Sequence, residues 1–118
     1  MDDLAPDLVR QRLIVEGFFT IGVDEKVITQ FFSVLTSALA LRPYGERTIF
    51  SPGGEGRGEN QDFDAVIPLI DSGISLYMWS HRKFLSLVTF SCKRFDVDRA
   101  IETTREYFAM TDLVHQQF

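Results

Sequence analysis

The chain has 118 residues, 45% of them apolar with eleven Phe, and a formal net charge of −5 from 17 acids against 12 bases. That size and composition predict one domain, 1–118, with its own core, and exclude a low-complexity or disordered protein. No basic cluster exceeds His81-Arg82-Lys83, which argues against nucleic acid as a partner, and no apolar run approaches bilayer length.

The acidic start Met1-Asp2-Asp3-Leu4 lacks the apolar stretch of a secretory signal. A lone cysteine, Cys92, leaves no partner for an internal disulfide. A soluble protein in a cytoplasmic, reducing setting is therefore expected. A chain this short buries a limited share of its surface, so a homodimer is expected too.

In chain order, residues 9–20 alternate with a period near two, from Val9 and Gln11 to Gly17, and predict a strand. Asp24 is placed to cap a helix in which Ile28, Phe31, Phe32, Leu35, Ala38 and Leu39 recur at three and four positions. Arg42-Pro43 is expected to end it, because the residue before proline is driven out of the helical region. A second strand is predicted over 45–51, closed by Pro52-Gly53-Gly54, and the Gly-rich run 53–61 follows.

Three further strands are predicted over Phe63–Ile70, Ile74–Ser80 and Lys83–Cys92, with Asp71-Ser72-Gly73 and His81-Arg82 as tight links. Short links make neighbouring strands antiparallel. Asp96 then caps a second helix carrying Val97, Ala100, Ile101, Thr104 and Phe108 on one face, and residues 112–117 predict a last strand. The order β-α-β-β-β-β-α-β predicts an α+β fold: an antiparallel sheet with two helices packed on one face.

Several chemistries are weak in these residues. The Gly-rich run lacks the Lys and Ser/Thr of a phosphate-binding P-loop, and Glu55 and Glu59 would repel an anion. It reads as a hairpin connection or a lid. His81 and His115 have no metal-site spacing with Cys92, so no metal is expected. No Gly-x-Ser-x-Gly elbow presents a serine, which sets a hydrolase aside. Tyr77 and Trp79 share parity with Ser75, while Phe84, Ser86, Val88, Phe90 and Cys92 share parity on the next strand. Cys92 alone reads either as a small buried hydrophobe or as a reactive thiol. Asp71-Ser72 alone reads as the start of a turn.

In combination these residues are more specific. Asp71-Ser72-Gly73-Ile74-Ser75-Leu76-Tyr77-Met78-Trp79-Ser80-His81, with Cys92 thirteen positions after Trp79, resembles the small bacterial and archaeal S-adenosylmethionine decarboxylases. Their segment is of the type Glu-Ser-His-Ile-Ser-Ile-His-Thr-Trp-Pro-Glu, with a Cys at the same distance from the Trp. Phe95-Asp96-Val97-Asp98-Arg99-Ala100 and Phe50-Ser51-Pro52-Gly53 also fit the family's order, so the resemblance spans most of the chain.

The resemblance implies a proenzyme that cleaves itself between Asp71 and Ser72, turning Ser72 into a pyruvoyl cofactor. That group serves as an electron sink for decarboxylation of S-adenosylmethionine or a related amino acid in polyamine metabolism. Cys92 is implied as proton donor. Phe50 and Tyr77 are expected to offer a face to the adenine ring and the sulfonium, near where Ser72 meets Cys92. Sites at a dimer junction are implied as well.

The sequence departs from the family at the surrounding positions. Tyr77 stands where a processing histidine is usual, and a phenol is a far weaker proton acceptor than an imidazole near neutrality. Asp64 replaces a processing serine, which makes its carboxylate a substitute base, and Ser80-His81 replaces Pro-Glu, leaving His81 where an acid would bind the ribose. Asp71 replaces Glu and Gly73 replaces His. The alternatives are an unprocessed homologue, without cofactor, that binds S-adenosylmethionine or a related ligand for other chemistry or regulation, and an interaction module that keeps only the fold.

Overall fold

A computed structural model describes residues 1–50 and 63–118. The elements are β1 (Gln11–Phe18), α1 (Glu25–Leu39), β2 (Thr48–Phe50), β3 (Phe63–Leu69), β4 (Ser72–Trp79), β5 (Phe84–Ser91), α2 (Val97–Tyr107) and β6 (Leu113–Gln117). The strands form one antiparallel sheet in the order β2-β3-β4-β5-β1-β6. The architecture is the expected α+β layer, with both helices against one face.

Strand alternation decides which face that is. Leu13 and Val15 on β1, Ala65, Ile67 and Leu69 on β3, Ile74, Leu76 and Met78 on β4, and Leu85 and Leu87 on β5 are all buried. They meet Ile28, Phe31, Phe32, Leu35 and Leu39 of α1 and Ala100 and Ile101 of α2 in one core. Phe108, at the end of α2, is fully buried, with its ring centre 4.6 Å from that of Phe31. The Tyr107 hydroxyl donates to the Val27 carbonyl at 2.6 Å and so ties α2 to the first turn of α1.

Both helices start as the capping residues dictate. Asp24 Oδ1 accepts from the Val27 amide at 2.9 Å, and Asp96 Oδ1 accepts from the Arg99 amide at 3.1 Å. The end of α1 differs from the expectation at Arg42-Pro43. The helix stops at Leu39, and Ala40 turns into the left-handed region at φ 53°, letting the Leu41 amide bond the Thr36 carbonyl at 2.9 Å. Two cations finish that terminus: Lys93 Nζ reaches the Ala40 carbonyl at 2.7 Å, and Arg99 Nε the Ala38 carbonyl at 2.8 Å.

Strand limits also shift. The strand expected over 45–51 is the three-residue β2, Thr48–Phe50, with its predicted last residue outside the described residues, as is the Gly-rich run 53–61. The link expected at Asp71-Ser72-Gly73 is a tighter turn at Ile70-Asp71, and β4 already begins at Ser72. The link at His81-Arg82 is a short 3-10 turn, Ser80–Arg82, closed by Lys83 at φ 54°. These shifts carry Ser72 from a turn into the first rung of a central strand, opposite Ser91 of β5.

Candidate functional site

The end of the sheet where β3 turns into β4 gathers the chemistry. The segment after α1 runs alongside it: the Ile70 amide donates to the Arg42 carbonyl at 2.8 Å, and the Tyr44 amide to the Pro68 carbonyl at 2.9 Å. Arg42 thereby faces Asp71. Its Nη2 reaches Asp71 Oδ1 at 2.8 Å and its Nε reaches Oδ2 at 3.3 Å, while its own amide lies 3.4 Å from Oδ2. This fork on a buried carboxylate holds the Asp71 carboxyl below its ordinary range, chiefly through the guanidinium hydrogen bond and against the opposing effect of burial. Asp71 is fixed in both its side chain and its main chain.

The main-chain contact matters more for reactivity. The Cys92 amide donates to the Asp71 carbonyl at 2.8 Å, so the carbonyl that precedes Ser72 is polarised by a fixed N–H. Ser72 itself sits at φ 132°, a region that side-chain-bearing residues rarely occupy and that costs roughly 1–3 kcal/mol. Its Oγ lies 3.1 Å from Cys92 Sγ. A strained serine, a polarised carbonyl on its N-terminal side and a thiol in contact with its hydroxyl form one constellation. Cys92 is exposed in the bend just past β5, so the buried-hydrophobe reading of this thiol is overturned.

The other candidate residues lie elsewhere. Tyr77 is five positions along β4 from Ser72, about 16 Å at a strand's rise, so one chain does not bring the two together. It pairs across the sheet with Asp64 of β3 and Ser86 of β5, and Asp64 pairs in turn with Phe50 of β2. Phe50, Asp64 and Tyr77 thus form a second group toward the opposite end of the sheet, with Phe50 exposed and Tyr77 half-buried. Within one chain this register keeps Phe50 and Tyr77 away from the Ser72–Cys92 contact, near which they were expected. His81 is exposed on the short turn beyond β4, past the second group.

Arg42 was missed by sequence reasoning, which used it only to end a helix. It is 29 residues from Asp71, and no local pattern links the two. Among the described residues no three of His, Cys, Asp and Glu gather as a metal site, and no helix is long and apolar enough to cross a membrane.

The fold is a one-sided antiparallel sheet with two helices, and at one end of it an acid–serine turn lies against a thiol. Among solved structures the chain is similar to the crystal structure of the adenosylmethionine decarboxylase from Aquifex aeolicus VF5, with a TM-score of 0.64 and 13% identity over 94% of this chain and 89% of that one. The likeness is one of fold. No protein-family model matches the chain, and no curated protein does.

Proposed function

We propose that the chain is a self-processing, pyruvoyl-dependent decarboxylase with Asp71/Ser72 as its cleavage site. The observation that carries this reading is the Asp71 carbonyl held at 2.8 Å by the Cys92 amide, next to a strained Ser72. Ser72 Oγ attacks that carbonyl carbon and the amide nitrogen takes up a proton, leaving an ester. The Cys92 amide steadies the negative charge on the carbonyl oxygen during the attack, and relief of the φ strain favours it. Elimination then frees fragment 1–71 with a carboxylate at Asp71, and hydrolysis with loss of ammonia leaves a pyruvoyl group at residue 72.

The residues present fit that group, because half-buried Ser72 has the exposed Cys92 thiol in contact with its hydroxyl. Once formed, the pyruvoyl group supplies an electron sink for the loss of CO2 from an amino acid. The Cys92 thiol delivers a proton to the carbon that loses CO2, and S-adenosylmethionine is the substrate this reading names. The fold neighbour, which is an adenosylmethionine decarboxylase, supports that choice.

A homodimer completes the reading. The uncovered sheet face carries Ile14, Val66, Tyr77, Trp79, Phe84, Val88 and Phe90, and stacking two such faces would bury them. It would also let Tyr77 and Asp64 of one copy approach Ser72 of the other, which one chain alone does not do. A second reading, an unprocessed homologue that binds the same ligand, is favoured by Tyr77 in place of an imidazole at that position.

Release of labelled CO2 from carboxyl-labelled S-adenosylmethionine tests the activity. The expected result is turnover by the wild type, none by Ser72→Ala, and a loss of about 100-fold or more in Cys92→Ala. Saturable binding of S-adenosylmethionine without CO2 release would instead establish the second reading.

A further inference from the structure

A further cavity opens where β1 begins and β6 ends, two strands from Ser72. It has a volume of about 330 Å³ and is lined by Arg10, Arg12, Arg94, Gln117, Phe118 and Asp3, among others. Three arginine side chains and a single acidic side chain, Asp3, thus line it, in a chain whose net charge is −5. Asp3 is already engaged, since Arg10 Nη2 bonds Asp3 Oδ1 and also donates to the Ala5 carbonyl at 2.9 Å. Neither Arg12 nor Arg94 is relieved by it through a hydrogen bond.

Arg12 is the informative member. Its guanidinium carbon lies 5.7 Å from the centre of the Phe118 ring, and its Nε is buried with no hydrogen-bond partner among the described residues. A buried N–H without an acceptor costs free energy, and a charged one costs more. Stacking on Phe118 fixes the plane of the guanidinium but supplies no acceptor. Arg94, immediately past the loop that carries Cys92 and Lys93, is exposed at the same cavity. Planar guanidinium forks match the oxygens of phosphates and carboxylates, and a cavity of this size admits a small molecule rather than a polymer.

We propose that this cavity is a binding site for a small multivalent anion, a phosphate ester or a polycarboxylate, held by Arg12 and Arg94 with Arg10 at its rim. The register places Gln11, beside Arg12, two strands from Ser72, so the site lies about 10 Å from the Ser72 rung. It is a separate site, and its occupancy does not depend on cleavage of the chain.

Thermal melts of the full chain with pyrophosphate and with citrate, at constant ionic strength set by NaCl, test the proposal. A saturable rise of roughly 5 °C or more at about 100 times Kd is expected with at least one of them. Response to pyrophosphate alone identifies a phosphate ester, and response to citrate alone a polycarboxylate. Arg94→Gln, at an exposed position, weakens binding about tenfold or more, and Arg12→Gln weakens it at least as much where circular dichroism shows it folded. No rise beyond the NaCl control with either anion, or a rise undiminished in Arg94→Gln, overturns the proposal.

Discussion

At the scale of single residues the account rests on Ser72. A serine at φ 132° is strained, and the same geometry costs a glycine almost nothing. Ser72→Gly is therefore expected to stabilise the uncleaved chain by about 1 kcal/mol, whereas Ser72→Ala keeps the strain and gives no such gain. Denaturant unfolding of the two variants measures the difference, and equal midpoints would show that the strain is absent. Asp71 makes a second, pH-dependent prediction. Its carboxyl is held below the ordinary value of 3.8 in the folded chain by Arg42, so the pair's contribution is fully present above that pH. That contribution is lost as the pH falls through the lowered folded value. The gap in stability between Ser72→Ala and Ser72→Ala/Arg42→Gln is expected to narrow as the pH drops from about 6 to about 3.

At the scale of elements, two glycine and aromatic contacts decide how the sheet and helices close. A Cβ on Gly17 would lie 2.0 Å from the Asp112 carbonyl oxygen and 2.8 Å from Met110 Cε, so Gly17→Ala forces the start of β6 away from β1. Faster amide exchange along β6 with little change in β4 is the expected outcome. Phe108→Ala leaves a cavity between the helices and the sheet and is expected to cost about 3–5 kcal/mol, read from denaturant unfolding. The elements themselves were legible because burial imposes periodicity: the helical spacing of Ile28, Phe31, Phe32 and Leu35 and the alternation along β1 admit one reading each. The turn at Ile70-Asp71 was not legible. Its placement needs a positive φ at a serine, and the end of α1 likewise needs one at Ala40; neither residue type announces that conformation. Ser72 and Cys92 were legible as a pair through their spacing. Their contact, the exposure of the thiol and the role of Arg42 depend on which sheet face the helices leave bare and on pairings between distant segments.

At the scale of the whole molecule, the helices cover one sheet face and leave the other with a row of half-buried apolar side chains around Trp79, Phe84 and Val88. Such a face stays in water only at a cost, which stacking on a second copy would remove. Val88 lies at its centre, between Ile14 and Ser75 in register. Val88→Glu is expected to give a folded monomer by sedimentation, against a wild-type dimer; a monomeric wild type would contradict the stacked arrangement. In the proposed stacked arrangement Tyr77 and Asp64 would approach Ser72 across the junction, so the same variant is expected to process more slowly. The strained serine and the polarised carbonyl both bear on one proposed event, the breaking of the Asp71–Ser72 bond. Intact-mass measurement after prolonged incubation tests it directly. The account predicts two fragments, 1–71 and 72–118, the second with a blocked, borohydride-reducible N-terminus, and a single uncut chain for Ser72→Ala. A wild-type chain that remains one full-length species would contradict it.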